Sequence, residues 1–360
     1  MMKKVKVGIV GTGYTIGIAK QHVKAYNANE KCELVALFDK VEGRAGEWAK
    51  KQELKNITIC KTYEEMLDMV DAVSICTSND AHGELSIKAL ESGVHVLCEK
   101  PMSSEINYAR EMVECAKNHP ELVNMIGFCY RGIPAIKYMK SIIDQGKLGK
   151  IYGFRQCLGG GRIANKTGVM LEWRMQKKYS GTGALADFGS HMIDIVDYLL
   201  KDTEGPVKEL TAISTISIPE RKKIDEEGMG AVTNDDTTIF TAKLNNGAVG
   251  TFYSSRLGTR GHSLEIIGEG GMLVYEHEDN ELIVNLKEKD GGYNGKKEEV
   301  VAVPDEFLEE SKFHEEINEF IDNIIYNKQS ERDFARGLYI QELLEALKES
   351  ADNKKTVILD

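Results

Sequence analysis

Residues 7–22, VGIVGTGYTIGIAKQH, decide the fold. An apolar run ends at Gly11 and Gly13, and residues with helical spacing follow. A glycine pair between a strand and a helix opens the dinucleotide-binding fingerprint, which expects a third small residue three positions after the second glycine. Ile16 occupies that position here, and the small residues come later, at Gly17 and Ala19. The stretch predicts a nucleotide-binding turn with a lengthened loop.

The first third of the chain repeats this alternation of strand and helix. Its apolar runs are too continuous to alternate with polar residues, and segments with helical spacing separate them. Such a pattern indicates a parallel sheet covered by helices on both faces. We predict a doubly wound Rossmann domain over residues 1–127, with strands at residues 5–10, 34–38, 72–76 and 94–98.

The remaining chain, residues 128–360, has a different pattern. Strand-like stretches follow one another, and the Asn-Asn-Gly run that ends at Gly247 is a hairpin signal. We predict an α+β domain with a large, mainly antiparallel open sheet, one inserted helix at residues 185–200, and two closing helices. The charged, glycine-containing stretch 219–234 predicts a mobile loop. The fold class is therefore α/β followed by α+β.

Composition excludes several classes of protein. The 360 residues are 42% hydrophobic and 29% charged, as in globular proteins, and the formal net charge is -11. An acidic chain is a poor match for nucleic acid, because binding to phosphate needs a basic surface. No apolar run approaches the length of a membrane-spanning helix. Lys6 interrupts the apolar start, which therefore lacks the core of a secretory signal, and we expect a cytoplasmic protein.

The second predicted strand ends in Asp39, whose carboxylate could accept hydrogen bonds from the adenine-side ribose. Its distance from the glycines exceeds the usual spacing of about 20 residues, and an ordinary strand-end aspartate is the alternative. A carboxylate here would repel a 2′-phosphate, which favours NAD. Lys40 and Arg44 follow closely and leave NADP open.

Four further motifs carry a family resemblance. They are TSNDAH at residues 77–82, CEKP at 98–101, FCYRGIP at 128–134 and GTGALADFGSHMID at 181–194. With the glycine loop, they make the sequence similar to the Gfo/Idh/MocA oxidoreductases, the family of glucose-fructose oxidoreductase and inositol dehydrogenase. That family's loop often reads GxGxIAxxH, which implies that Ala19 takes the third small position and that residues 14–16 are an insertion. An alternative alignment places Ile16 there.

The resemblance also implies a set of cofactor-binding residues. Ser78 departs from the family pattern, which usually has proline there, whereas Asn79 matches it and would lie near the nicotinamide ribose. The predicted cofactor-binding residues are Gly11, Gly13, Tyr14, Thr15, Asp39, Thr77, Ser78, Asn79, His82, Glu99 and Lys100.

The predicted inserted helix carries the candidate chemistry. Asp187, His191 and Asp194 are spaced to share one helical face. By itself this pattern fits a structural histidine, or a metal pair that has no further histidine or cysteine nearby, so no metal is predicted. The resemblance implies instead that Lys100, Asp187 and His191 face the nicotinamide and the substrate. An imidazole suits proton removal from an alcohol, and an ammonium suits a developing alkoxide.

A second group of residues is predicted with less support. It forms the substrate wall and comprises Arg131, Trp173, Arg174 and Tyr253.

The sequence thus predicts an NAD(P)-dependent oxidoreductase that acts on a secondary alcohol of a cyclic polyol or sugar, inositol-like in type. Two alternatives stay open, an NAD-dependent glycosidase with a transient oxidation and a regulatory protein that binds dinucleotide without turnover. The resemblance further implies a homodimer or homotetramer through the C-terminal sheet. Neither nucleic acid nor a membrane is an expected partner.

Overall fold

The structure is a computed structural model that describes residues 3–13, 17–259, 261–287, 299–309 and 311–359. Its internal contacts divide the chain into two compact units. The first comprises Met1–Cys129 and Glu310–Gln341, and the second comprises Tyr130–Glu309 and Glu342–Asp360. The limits of 1–127 and 128–360 derived from the sequence stay a prediction.

The first unit is built on a six-stranded sheet, and this sheet is parallel, as predicted. Its strands follow the order β3-β2-β1-β4-β5-β6, so successive strands are added outward in opposite directions from the β1–β4 pair. In such sheets ligands bind beyond the carboxyl ends of the strands at this point. The strands are β1 (Val5–Val10), β2 (Cys32–Phe38), β3 (Thr58–Ile59), β4 (Ala72–Ile75), β5 (His95–Cys98) and β6 (Asn124–Ile126).

Helices connect successive strands of this sheet and cover it. The first helix shows why, since Ala19, Val23 and Tyr26 recur on one face and are buried against the strands. The helices are α1 (Ile18–Ala28), α2 (Arg44–Lys51), α3 (Tyr63–Leu67), α4 (Asn79–Glu91) and α5 (Ile106–Asn118).

The second unit contains a nine-stranded sheet in the order β16-β15-β14-β13-β7-β12-β11-β8-β17. Only β7 and β12 pair in parallel among the described strands of this sheet, so the predicted antiparallel character is confirmed. The predicted hairpin at Gly247 is also present, with its N–H bonded to Leu244 O at 3.0 Å. The unit's strands are β7 (Ile151–Gly159), β8 (Val207–Thr215), β9 (Glu220–Lys222), β10 (Met229–Ala231), β11 (Thr237–Leu244), β12 (Val249–Ser255), β13 (Ser263–Gly268), β14 (Gly271–Glu276), β15 (Glu281–Leu286), β16 (Glu299–Ala302) and β17 (Val357–Ile358).

One face of the large sheet is buried under helices. The rings of Phe240 and Phe252 stack on this face with centroids 4.3 Å apart. A π-helical turn, Leu185–Gly189, packs against β12 and leads directly into the long helix of this unit. The helices here are α6 (Pro134–Asp144), α7 (Lys177–Ser180) and α8 (Ser190–Glu204).

The loop predicted at residues 219–234 contains a small two-stranded sheet, β9 with β10, so the prediction was wrong there. The reason is Arg221, a charged residue that is 1% exposed. Its guanidinium donates to the carbonyl oxygens of Ile163, Asn165 and Val169, which anchors β9 to a distant part of the chain.

Two helices close the chain, α9 (Lys312–Tyr326) and α10 (Phe334–Asn353). Ile317, Phe320 and Ile321 of α9 belong to the core of the first unit, where α9 packs beside α1. Within the described residues, no helix combines the length and the apolar character that crossing a membrane requires.

Candidate active site

The glycine loop begins where β1 ends. Gly11 has φ +88°, and a Cβ there would come within 2.9 Å of Cys76 O and 2.8 Å of the Thr77 side chain. Its N–H donates to Phe38 O at 2.9 Å. Glycine is therefore required for the backbone to turn tightly between the ends of β1, β2 and β4.

Asp39 holds this loop in place. Its Oδ2 accepts hydrogen bonds from Thr12 N at 3.0 Å and Thr12 Oγ1 at 2.9 Å. Its Oδ1 accepts from Val41 N at 3.0 Å and lies 3.3 Å from Arg44 Nη1. The aspartate thus orders the turn that would cradle a dinucleotide, and its contact with the ribose stays a prediction.

The insertion assigned to the loop, residues 14–16, lies outside the described residues. It comprises Tyr14 and Thr15, predicted to bind the cofactor, and Ile16. Ala19 is buried in the first turn of α1, where a small side chain permits close packing of helix on strand. This placement supports the alignment that gives Ala19 the third small position.

The predicted cofactor residues after β4 surround the start of α4. Ser78 stands at the N-cap with extended backbone, and its hydroxyl donates to the Asp80 carboxylate instead of accepting a hydrogen bond from a helix N–H. Thr77 Oγ1 donates to Ser78 O at 3.2 Å. Asn79 is buried in the first turn, and its carbonyl accepts from Ser104 N at 3.3 Å. The serine therefore leaves α4 intact at the position where the family usually has proline.

His82 connects α4 to the turn after β5. Its Nδ1 lies 2.9 Å from Pro101 O and its Nε2 lies 3.4 Å from Thr77 O. Burial lowers the pKa of this imidazole, although the two carbonyl groups oppose the change. The buried His82 side chain thus links the segments that follow β4 and β5, where the predicted cofactor residues lie.

Glu99 and Lys100 follow β5 at the same edge of the sheet. The Glu99 carboxylate lies 3.0 Å from His22 Nε2 and accepts from Lys100 N at 3.2 Å. The described residues of the predicted cofactor site therefore follow the ends of β1, β4 and β5, except Asp39, which follows β2, and Asn79 and His82, which lie on α4.

In the second unit, Asp235 fixes the start of the segment 183–191, called the catalytic segment below because it carries the predicted catalytic residues Asp187 and His191. Its carboxylate accepts from Gly183 N at 2.6 Å and Leu185 N at 2.8 Å, and its carbonyl accepts from Ala184 N at 2.9 Å. A Cβ on Gly183 would overlap Asp235 O, so only glycine permits this approach. The sequence contains no local signal for this tie, because the partners are some fifty residues apart.

Asp187 lies in the π-helical turn that follows. Its Oδ2 accepts from Arg256 Nε at 3.1 Å, and Arg256 also donates to Arg174 O at 2.7 Å. The Arg256 side chain is only 7% exposed. The sequence analysis did not identify this arginine, which follows β12 and has no distinguishing local pattern.

His191 lies on the next turn and is buried in α8. Its ring centroid is 4.4 Å from that of Tyr130, which in turn lies 5.3 Å from His262. His262 Nε2 is 3.1 Å from Gln156 Nε2. The predicted base therefore stands in an aromatic group, and the sequence analysis missed Tyr130 and His262 as its neighbours.

Two residues of the predicted substrate wall, Arg131 and Arg174, contact other side chains of the protein. The guanidinium of Arg131 forms a buried two-point ion pair with Asp194, with Nε 2.9 Å from Oδ2. The Arg174 guanidinium lies 4.1 Å from the centroid of the Trp173 ring, and burial lowers its pKa. Substrate contact by Arg131, Trp173 and Arg174 stays a prediction, and the ion pair favours a structural role for Arg131.

Tyr253 lies on the other side of the sheet. Its neighbour Ser254 points inward and donates to Ala184 O, at the start of the catalytic segment. Successive strand residues face opposite sides, so Tyr253, 37% exposed, faces away from that segment. We therefore withdraw Tyr253 from the substrate wall.

Comparisons with known proteins agree with this geometry. The family model described as "Oxidoreductase family, NAD-binding Rossmann fold" matches residues 5–127, and "GFO/IDH/MocA C-terminal domain" matches residues 136–274. Levoglucosan dehydrogenase of Pseudarthrobacter phenanthrenivorans is 29% identical over 303 residues, which cover 77% of this chain and 75% of that protein. D-glucoside 3-dehydrogenase of Escherichia coli is 30% identical over 251 residues, 68% of each.

A solved structure extends the likeness to the whole chain. Levoglucosan dehydrogenase in complex with NADH and L-sorbose matches with a TM-score of 0.89 at 26% identity, covering 100% of both chains. The family models and the fold comparison thus agree over most of the sequence. The chain belongs to the Gfo/Idh/MocA family of oxidoreductases, sugar and polyol dehydrogenases with an NAD-binding Rossmann domain.

Proposed function

We propose that this enzyme oxidises a secondary alcohol on the ring of a sugar or cyclic polyol and transfers the hydride to NAD. The observation that carries the proposal is the construction of the catalytic segment. Asp187 and His191 stand one helical turn apart, on a helix start that Asp235 ties down, and Arg256 holds the carboxylate. Such fixed positions are what proton transfer from a bound alcohol requires.

The residues of this chain divide the work as follows. His191 accepts the hydroxyl proton, since an imidazole titrates near neutral pH. Asp187 stabilises the imidazolium that forms. Lys100 donates a hydrogen bond to the reacting oxygen and stabilises negative charge there. NAD supplies the hydride acceptor, and the tight turn at Gly11 together with Asp39 would hold its adenosine and pyrophosphate portion.

We further propose a pyranose-type sugar, such as a glycoside or an anhydrosugar, as the substrate class. Support comes from the names of two relatives that match most of their length, a levoglucosan dehydrogenase and a D-glucoside 3-dehydrogenase. The substrate then carries several ring hydroxyl groups of which one is oxidised. Inositols, which share the ring and the secondary alcohols, are the second class to be assayed.

We also propose a homo-oligomer that forms through the exposed face of the large sheet. Ile239 lies directly opposite Ile213 on one neighbouring strand and Tyr253 on the other. These side chains are 48%, 74% and 37% exposed, respectively, and so form a continuous apolar strip. A second copy of the chain would cover it, as the family resemblance implies.

Formation of NADH on a panel of glycosides, anhydrosugars, hexoses and inositols tests the activity. At least one pyranose-type compound should be oxidised, and removal of the base in His191→Ala should lower kcat by about 10²- to 10⁴-fold. NAD affinity should change little, because the imidazole acts on the substrate. Lys100→Met should lower kcat comparably.

The half-buried His119 at the end of α5 supplies a matched control, since His119→Ala should leave turnover unchanged. In the unmodified enzyme, kcat/KM should rise with pH as the base loses its proton. This rise should be absent in His191→Ala. Wild-type turnover in His191→Ala would show that the proton goes elsewhere. Hydrolysis of glycosides without net NADH would contradict the dehydrogenase proposal.

A further inference from the structure

His22, the histidine of the glycine-loop motif, has no part in the reaction as described so far. It lies on α1 and is completely buried. Its Nδ1 is 3.1 Å from Ser74 Oγ, and its Nε2 is 3.0 Å from Glu99 Oε1. The Tyr26 hydroxyl lies 2.6 Å from Ser74 Oγ. These four side chains therefore form a buried series of hydrogen bonds that crosses the first unit from α1 to the end of β5.

The chemistry of the partners sets the direction of this series. The Glu99 carboxylate accepts from the backbone N–H of Lys100 at 3.2 Å, through Oε2, and an ionised carboxylate can only accept. His22 Nε2 must then carry the hydrogen that it shares with Oε1. Nδ1 in consequence accepts from the Ser74 hydroxyl, which accepts from Tyr26. Every member is satisfied, and such a series strengthens each of its bonds.

Each carboxylate oxygen of Glu99 thus accepts a hydrogen bond. His22 holds Oε1, and the backbone of Lys100 holds Oε2. The Glu99 backbone is itself fixed, because its N–H donates to Ile75 O at 3.0 Å. A substitution at His22 would therefore change the orientation of the Glu99 carboxylate first. The position of the Lys100 backbone would change as a consequence.

We propose that His22 is a positioning residue for Lys100 and acts through the carboxylate of Glu99. The inference rests on the proposed function, because the role of Lys100 belongs to it. Without His22, the carboxylate loses its buried donor and rotates, and the backbone of Lys100 loses a fixed acceptor. The ammonium group would then meet the reacting oxygen in a range of positions instead of one.

The test compares two substitutions at the same site. His22→Gln places an amide N–H near the position of Nε2, whereas His22→Leu has similar bulk and no donor. A displacement of about 1 Å near a reacting group costs up to about 100-fold in rate, so His22→Leu should lower kcat by about 10- to 100-fold. KM for the sugar should change by less than about threefold, and His22→Gln should recover most of kcat. Val23→Ala, a cavity variant at the next residue of α1, controls for lost stability.

Hydrogen exchange supplies a readout that does not need turnover. The amide of Lys100 should exchange faster in His22→Leu than in the unmodified protein, in His22→Gln or in Val23→Ala. Unchanged exchange in His22→Leu overturns the proposal, as does a kcat loss no larger than that of Val23→Ala at equal melting temperature. If the unmodified enzyme oxidises no sugar, the proposed function fails, and exchange alone decides the positioning.

A bound ion would contradict the same assignment. One ligand atom from each of His22, Glu99 and Glu316 lies within 4.8 Å of the others, a spacing that a metal could use. The hydrogen bond assigned here requires a proton between His22 and Glu99 instead. Elemental analysis should find no stoichiometric metal in the purified protein, and one equivalent that disappears in His22→Leu would overturn the proposal.

Discussion

Asp39 has a structural role in the glycine loop in addition to its predicted contact with the cofactor ribose. Its carboxylate binds Thr12 through both the N–H and the hydroxyl, so the side chain orders the glycine loop before any ligand arrives. The same carboxylate forms an ion pair with Arg44. We expect the cofactor preference to depend on the negative charge of Asp39, beside which the Arg44 guanidinium could bind a phosphate group.

Asp39→Ser should narrow the difference in affinity between NAD and NADP. The substitution removes the charge that repels a 2′-phosphate and releases Arg44 from its ion pair. Affinity for NAD should fall as well, because Thr12 loses its charged acceptor. Calorimetric titration of both dinucleotides measures the change, and Asp39→Glu, which retains the charge, should keep the preference for NAD. Tighter binding of NADP than of NAD by the unmodified protein would refute the assignment.

Residues with a local pattern could be predicted from the sequence, and residues that act through distant partners could not. Asp187 and His191 stand four positions apart on a helix, which is visible in the sequence alone. Arg256 reaches Asp187 from 69 residues away, and Asp235 reaches Gly183 from 52. Neither Arg256 nor Asp235 belongs to a local sequence pattern, because only folding brings each of them to its partner.

At the scale of elements, α9 introduces a buried acid into the first unit. Glu316 is completely buried, and its Oε2 lies 4.0 Å from His22 Nε2. Burial and the charge of Glu99 raise the pKa of the Glu316 carboxyl well above its usual range, against the opposing charge of Arg332. Arg332 also donates to the half-buried carboxylates of Glu315 and Glu319. The environment of Glu316 therefore favours the protonated form of its carboxyl group.

This arrangement predicts a pH-dependent effect of Glu316→Gln. An ordinary glutamate in the unfolded chain titrates at about pH 4.3, so the raised folded-state pKa contributes stability below about that pH. That contribution is lost as the pH rises through the folded-state value. Glutamine keeps the shape and never ionises, so the variant should gain stability relative to the unmodified protein as the pH rises.

Melting temperatures measured across the pH range from about 5 to about 9 check the expectation. Glu33→Gln, at an exposed position on β2, should parallel the unmodified protein at every pH. A constant difference between Glu316→Gln and the unmodified protein would show that Glu316 is ionised in the fold.

Elements with strong local signals agree closely with their predicted limits. β1 matches its predicted limits residue for residue, because turn residues follow its apolar run directly. The β9–β10 pair was missed, because Arg221 binds carbonyl groups that the local pattern does not show. Charge in a stretch of sequence normally indicates a solvated loop, and here one buried arginine reverses that expectation.

The nine-stranded sheet has one face that helices cover and one face that they leave exposed. Helices bury one face, whereas the other exposes the strip through Ile213, Ile239 and Tyr253. The strip crosses three adjacent strands, β8, β11 and β12, which lie about 4.8 Å apart. The net charge of -11 disfavours association in general, so any pairing must come from such a patch.

The oligomer should therefore be sensitive to a charge placed in this strip. Ile239→Glu sets two carboxylates of symmetry-related copies into an apolar contact, where their desolvation is costly, and should shift the protein towards monomers. Light scattering coupled to size-exclusion chromatography measures the mass directly. Ile59→Glu, at a similarly exposed position on β3 of the first unit, should leave the mass unchanged. A monomeric unmodified protein at micromolar concentration would refute the proposed interface, whereas loss of the oligomer in Ile59→Glu alone would assign the contact to the edge of the Rossmann sheet.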